Sequence, residues 1–128
     1  MAKDCEAKTI DRVLERAILV HRELGPGLLE SVYEAALSYE LAAAGLEIQT
    51  QVPIPVVYRG LNLGTGFRAD IIVARIVILE IKSIRVFDAS HVTQLLTYLR
   101  LTGIRTGLLL NFNARLMKDG IRRVSDFS

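Results

Sequence analysis

The sequence predicts an α/β domain, a mixed β-sheet flanked by α-helices. Three observations carry this expectation. Two segments of helical apolar spacing open the chain. Branched apolar runs of strand length follow. A further helical segment then separates the last of these runs from the others. The chain has 128 residues, 51% hydrophobic and 23% charged, enough apolar material for one core and little room for two. We read residues 1–128 as a single domain with its core at about residues 9–124.

Residues 9–24 place Ile10, Val13, Leu14, Ala17, Ile18 and Leu24 at helical spacing, with Thr9 or Asp11 as a cap. Gly25-Pro26-Gly27 stops that helix, because proline lacks the N–H that a continuing helix needs. A second helix is expected over residues 28–44, ending at Gly45. Glu30, Tyr33, Glu34 and Leu37 form one stripe on it, so two carboxylates and a phenol share a face. The period then changes. Residues 48–58 read as one extended segment, and Pro53 and Pro55 put it at a sheet edge or a bulge. Residues 60–66 carry turn signals in Asn62, Gly64 and Gly66.

Residues 67–73 and 76–83 read as central strands joined as a hairpin. Residues 88–101 form the third helix, capped by Asp88 or Ser90 and stopped by Gly103, with Val92, Leu95, Leu96 and Leu99 toward the core. Residues 105–112 make another buried strand, and residues 121–124 a last short one after a loop or helical turn.

Charge is unevenly spread. Residues 1–54 hold five Lys/Arg against nine Asp/Glu, and residues 55–128 hold eleven against five. A basic second half suits a polyanionic ligand, although a solvated surface explains charge counts equally well. Cys5 is the one cysteine, which excludes an internal disulfide and any all-cysteine metal cluster within the chain. Only His21, His91 and Cys5 are of zinc-ligand type besides the carboxylates, so a zinc role for His91 is not expected. Residues 1–8 carry Lys3, Asp4, Glu6 and Lys8 rather than an apolar run, and no apolar stretch reaches membrane-spanning length; the expected compartment is the cytoplasm.

The chemistry lies in charges embedded in apolar strands: Asp70 in Phe67-Arg68-Ala69-Asp70-Ile71-Ile72-Val73, and Glu80 and Lys82 in Val77-Ile78-Leu79-Glu80-Ile81-Lys82. An unpaired buried charge costs on the order of several kcal/mol, so these residues must be paired, bind a cation or line a cleft. Alternation puts Glu80 and Lys82 on one face. A two-residue turn at Ala74-Arg75 would set Asp70 opposite Leu79. A three-residue loop through Ile76 would set it opposite Glu80. Ala-Arg is a poor two-residue hairpin turn, so the longer loop, or a bulge with the same effect, is expected. Two adjacent carboxylates then suit Mg²⁺ or Mn²⁺, with the Ile81 carbonyl as a further oxygen donor. Lys82 is placed to orient an attacking water and to offset charge growing on a phosphate.

Gly27-Leu28-Leu29-Glu30-Ser31-Val32-Tyr33 matches the pattern that names the GxxExxY protein family, a branch of the PD-(D/E)XK nuclease superfamily. The chain also resembles that family through Gly64-Thr65-Gly66-Phe67-Arg68-Ala69-Asp70, Leu79-Glu80-Ile81-Lys82, Gln94-Leu95-Leu96-Thr97-Tyr98-Leu99 and Gly107-Leu108-Leu109-Leu110-Asn111-Phe112, over residues 9–124. The resemblance implies a restriction-endonuclease-like core. It implies a metal held by Asp70 and Glu80, Lys82 as catalytic lysine, Glu30 approaching the metal directly or through water, and Gln94 facing the site. Tyr33, Arg68 and His91 are the candidate substrate contacts. Family members carry His-Glu-Ala-Gln where this chain has His91-Val92-Thr93-Gln94, so the intervening acid is missing here. Position alone also accounts for Glu30, since a helix N-terminus favours an acid by about 0.3–1 kcal/mol.

The expected function is a Mg²⁺- or Mn²⁺-dependent phosphodiesterase acting on nucleic acid, DNA first. A catalytically weak nucleic-acid-binding or accessory protein with the same fold is the alternative, and a protein-interaction module is a third. Specificity would then come from a homodimer or an accessory protein partner.

Overall fold

The computed structural model describes residues 2–64 and 66–126, with side chains described from Asp4 onward; Thr65, inside the motif that leads to Asp70, lies outside the described residues. The order is α1 (Ala2–Leu24), α2 (Glu30–Ala43), β1 (Ile48–Ile54), β2 (Val57–Tyr58), β3 (Leu61–Asn62), β4 (Phe67–Val73), β5 (Val77–Lys82), α3 (Ala89–Thr102), β6 (Thr106–Asn111), a 3-10 turn (Met117–Gly120) and β7 (Ile121–Ser125). Five strands form one sheet in the order β1-β4-β5-β6-β7. Only β5 and β6 run parallel, because α3 carries the chain back between them; the other neighbours are antiparallel.

Helices cover both faces. On one, Val13 and Ala17 of α1 and Leu37 and Leu41 of α2 pack on Ile71, Val73, Val77, Leu79, Ile81, Leu108 and Leu110. On the other, Leu95, Tyr98 and Leu99 of α3 pack on Ala69, Ile72, Ile78 and Leu109. The central strands β4, β5 and β6 are thus covered twice, which is why they read as continuous branched apolar runs.

α1 begins earlier than its apolar spacing predicts. Its polar first turns are held from outside, for Glu6 accepts from the Thr106 hydroxyl and pairs with Arg123 at 3.2 Å, tying α1 to β6 and β7. The segment 48–58 is not one strand. β1 ends at Ile54, and Pro55, which has no N–H to give a ladder, separates it from a small β2–β3 hairpin. Pro53 lies in β1, an edge strand, as expected of a proline in a sheet.

The β4–β5 hairpin has the longer loop. The Ile76 N–H donates to the Val73 carbonyl at 2.9 Å around Ala74 and Arg75, both at positive φ, and Val73 pairs with Val77. The tight turn therefore spends one extra residue, Ile76, before pairing starts. Ile72 then meets Ile78, Ile71 meets Leu79, and the count brings Asp70 to Glu80. Glu47 secures this end: its carbonyl accepts from the Ala74 N–H at 2.7 Å, and its carboxylate meets Arg75 at 3.5 Å.

Close packing of α3 on β6 depends on Gly107, where a Cβ would stand 2.8 Å from the Leu95 side chain. Gly107→Ala is expected to lower stability by about 1–3 kcal/mol, as overpacking of a filled core does. Chemical denaturation would show it as a shifted midpoint with an unchanged slope.

Candidate active site

The β4–β5 ladder stops at Ile71 and Leu79, and side chains bridge the strands beyond that point. The Asp70 N–H donates to Glu80 Oε2 at 2.8 Å, and the Ile81 N–H donates to Asp70 Oδ2 at 2.8 Å. Each carboxylate thus satisfies a backbone donor of the opposite strand. β4 also changes its facing here. Ile71 and Val73 pack with α1 and α2, but Ala69 packs with α3, against strict alternation. β1 makes the same change, with Ile48 on the first face and Val52 and Ile54 on the second. Gln51, which has φ 50°, stands at that kink opposite Asp70 in the count. Its amide donates to both Glu34 oxygens, at 2.8 and 3.0 Å, and lies 3.5 Å from Asp70 Oδ1.

Glu80 is buried, and its carboxyl is pushed up to about 8, first by burial and then by the charge of Asp70. Burial also raises Asp70, opposed by the Ile81 N–H and by Lys82. Glu34 is raised as well, again mainly by burial. From α3, the buried Tyr98 phenol is raised by burial and then by the nearby Glu80 charge. Lys82 is half-buried, and its charge favours the ionised forms of both Asp70 and Glu80.

The segment after Lys82 is fixed on two sides. The Ser83 N–H donates to Glu30 Oε2 at 3.0 Å, and its hydroxyl donates to the Leu28 carbonyl at 2.7 Å. Buried Asn111 accepts from the Ile84 N–H at 3.1 Å and donates to the Ile84 carbonyl at 2.9 Å, while the Phe112 N–H donates to the Lys82 carbonyl at 2.9 Å. The end of β5 is held without further sheet.

The expected site residues fall in different surroundings. Glu30 accepts from the Ser83 N–H through Oε2, which fixes the end of β5, and its charge raises Asp70. Among the described residues, no three His, Cys, Asp or Glu groups gather as a cation-binding set. Tyr33 is corrected from a substrate contact to a core residue. It is fully buried and stacks on Phe112 with centroids 4.7 Å apart, its hydroxyl donating to the Gly25 carbonyl and accepting from the Leu28 N–H. His91 Nδ1 accepts from the Asp88 N–H at 3.0 Å, which closes a capping box and leaves only Nε2 for another partner. Arg68 is exposed on β4 and makes no ion pair among the described residues. Gln94 is exposed on α3, one turn before Tyr98.

Sequence reasoning gave no site role to Glu34, Gln51, Tyr98 or Asn111. Spacing signalled two of them, since Glu34 is i+4 from Glu30 and Tyr98 is i+4 from Gln94. Gln51 depended on the register of β1, which no local signal fixes.

The donor set fits a hard divalent cation that keeps part of its water shell. Asp70 and Glu80 supply two carboxylates with displaced acidities, the Ile81 carbonyl is the adjacent backbone oxygen, and Mg²⁺ commonly takes one or two protein carboxylates. Without a cation, Glu80 should make stability fall with pH. Its folded value lies above the ordinary 4.5, so its contribution is complete below that value and is lost as pH rises toward about 8. Melting temperatures in EDTA are expected to decline across this window, and Glu80→Gln should flatten the decline. A slope unchanged in the variant would assign the pH dependence to other groups.

No curated protein and no solved structure matches the chain. The family profile that matches covers residues 7–124 and is that of the PD-(D/E)XK nuclease superfamily. With the five-stranded mixed sheet and the Asp70/Glu80/Lys82 set in place, this match shows that the chain belongs to the PD-(D/E)XK nuclease superfamily, with a restriction-endonuclease-like fold.

Proposed function

We propose that the protein is a Mg²⁺- or Mn²⁺-dependent phosphodiesterase acting on nucleic acid, with DNA as the first substrate to test. The observation that carries this reading is the bridged pair Asp70 and Glu80 at the parting of β4 and β5, with Lys82 two residues along the same strand. Proteins of this superfamily generally use divalent metals. Asp70, Glu80 and the Ile81 carbonyl are the proposed holders. A bound divalent cation supplies Lewis-acid polarisation of the phosphate and lowers the pKa of water.

The chain's own residues do the rest. Asp70 and Glu80 are held by backbone donors of each other's strands, so they need little reorganisation to receive a cation. Lys82 presents an ammonium beside the two acids. It orients the attacking water and offsets negative charge as the phosphate is attacked in line with its leaving oxygen. Glu30, Ser83 and Asn111 keep the Lys82 backbone in place. Tyr98 closes the α3 side over Glu80, and Gln94, exposed one turn earlier, borders the same side. Arg68 and the free Nε2 of His91 are proposed phosphate contacts.

A second reading, a nucleic-acid binder with little turnover, draws on the engagement of Glu30 with Ser83, which leaves two acids rather than three for a cation. Cleavage of labelled DNA and RNA with Mg²⁺ or Mn²⁺ separates the two. Lys82→Ala is expected to bind DNA near normally but to cleave at least about tenfold more slowly in single turnover, equivalent to roughly 1.4 kcal/mol of transition-state stabilisation. Equal rates in wild type and variant would remove Lys82 from the chemistry, and no metal-dependent cleavage of any substrate would favour the second reading.

A further inference from the structure

Between β1 and β4 the chain leaves the main sheet and returns as a two-stranded arm. Val57 pairs with Asn62 and Tyr58 with Leu61, and Arg59 and Gly60 close the turn, both at positive φ. The Leu63 N–H donates to the Val56 carbonyl at 2.9 Å, and the Asn62 side chain accepts from the Gly64 N–H at 2.8 Å, so hydrogen bonds close the arm as far as Gly64. It forms a sheet of its own. Val57, Tyr58, Leu61 and Leu63 are each more than half exposed, and the register puts Tyr58 and Leu61 side by side on one face of an element too small to need a core.

Position and charge favour one kind of occupant. The arm springs from Ile54 and Phe67, which pair with each other, and Phe67 is three residues from Asp70, roughly 10 Å along a strand. Phe67 also meets Tyr98 edge-on, with centroids 5.7 Å apart, and Tyr98 senses the Glu80 charge. The base of the arm therefore lies on the strand that carries Asp70, three residues from it. From Ile48 to Ala69 the sequence has no acid, and its cations are Arg59 and Arg68, both exposed. A polyanion is not repelled there. One or two cations are too few to hold a phosphate backbone by charge alone, whereas the apolar side chains and Tyr58, with the Arg59 guanidinium 5.3 Å from its ring centroid, offer a stacking surface for bases. A continuous duplex hides its base faces, and opening it costs about a few kcal/mol per step.

We propose that the β2–β3 arm receives unpaired bases flanking the phosphodiester at the Asp70/Glu80 site, so that the substrate is a nucleic acid with a single-stranded segment beside the point of cleavage. The inference rests on the phosphodiesterase reading and adds the substrate's structure to it. A second copy of this chain is the rival occupant. The acid-free surface and the continuity with the site favour nucleic acid.

The test measures fluorescence anisotropy of the full chain, with and without Mg²⁺, on three oligonucleotides of equal phosphate count. These are a perfect duplex, the same duplex with an internal unpaired run, and a single strand. Wild type is expected to bind the two unpaired forms at least about tenfold more tightly, within the range of stacking one base on an aromatic side chain. Tyr58→Ala combined with Leu61→Ala should lose most of that preference at unchanged melting temperature, and Tyr58→Phe should keep it. A fluorescent base analogue in the unpaired run should be quenched by wild type and by Tyr58→Phe, not by the double variant. Equal affinity for all three forms in wild type, or a preference that survives the double variant, overturns the proposal. So does a dimer in sedimentation that the double variant dissociates without changing nucleic-acid binding. Metal-dependent cleavage with no such preference would remove the arm's role and leave the phosphodiesterase reading standing, whereas neither binding nor cleavage of any oligonucleotide would remove both.

Discussion

The exchange of hydrogen bonds between Asp70 and Glu80 holds the functional end of the sheet together. β4 and β5 pair closely near their turn and part beyond Ile71 and Leu79. The two carboxylates take over there, each accepting the N–H of a residue on the other strand. A bond from a backbone N–H to a carboxylate is among the stronger ones in a protein, which makes the open strand pair tolerable. The same bonds fix both acids. The cost is electrostatic: burial and mutual repulsion hold Glu80 at about 8 and raise Asp70. Lys82 offsets part of that repulsion.

Around this pair, side chains do work that regular secondary structure does elsewhere. Asn111 gives Ile84 both a donor and an acceptor, as a neighbouring strand would. Glu30 and the Leu28 carbonyl receive both donors of Ser83, and the Tyr33 hydroxyl holds the loop from which Leu28 comes. Glu30 and Tyr33 thus tie the α1–α2 loop to the end of β5, one through the Ser83 N–H and the other through the Gly25 carbonyl and the Leu28 N–H. On the far side of Asp70, Gln51 places a neutral amide between Glu34 and Asp70, two acids that would otherwise repel across the gap.

The layers and the acid pair were legible in the sequence because local rules govern them. Apolar period separated helices from strands, and the unsuitability of Ala74-Arg75 as a plain two-residue turn selected the register that brings Asp70 to Glu80. What was illegible depended on contacts distant in sequence. The facing change at Asp70 requires a matching kink at Gln51 in a different strand, and alternation alone cannot announce it. Tyr33 looked like a functional phenol on a helix stripe, and Phe112, which buries it, comes 79 positions later. The part His91 plays in closing the start of α3 through Nδ1 was likewise not announced by its position, and it leaves Nε2 for another partner. The β2–β3 arm straddled two readings, β2 in residues 48–58, read as one extended segment at a sheet edge or a bulge, and β3 in residues 60–66, read as a turn.

The central claim is that Asp70 and Glu80 form a cation site, and direct titration tests it most simply. Calorimetry with Mn²⁺ near neutral pH should show binding to the wild-type chain in the absence of nucleic acid, and Asp70→Asn and Glu80→Gln should each weaken it at least about tenfold, roughly 1.4 kcal/mol. Binding of equal strength in wild type and both variants would contradict the account, because the two carboxylates at the parting of β4 and β5 would then not be what the metal sees.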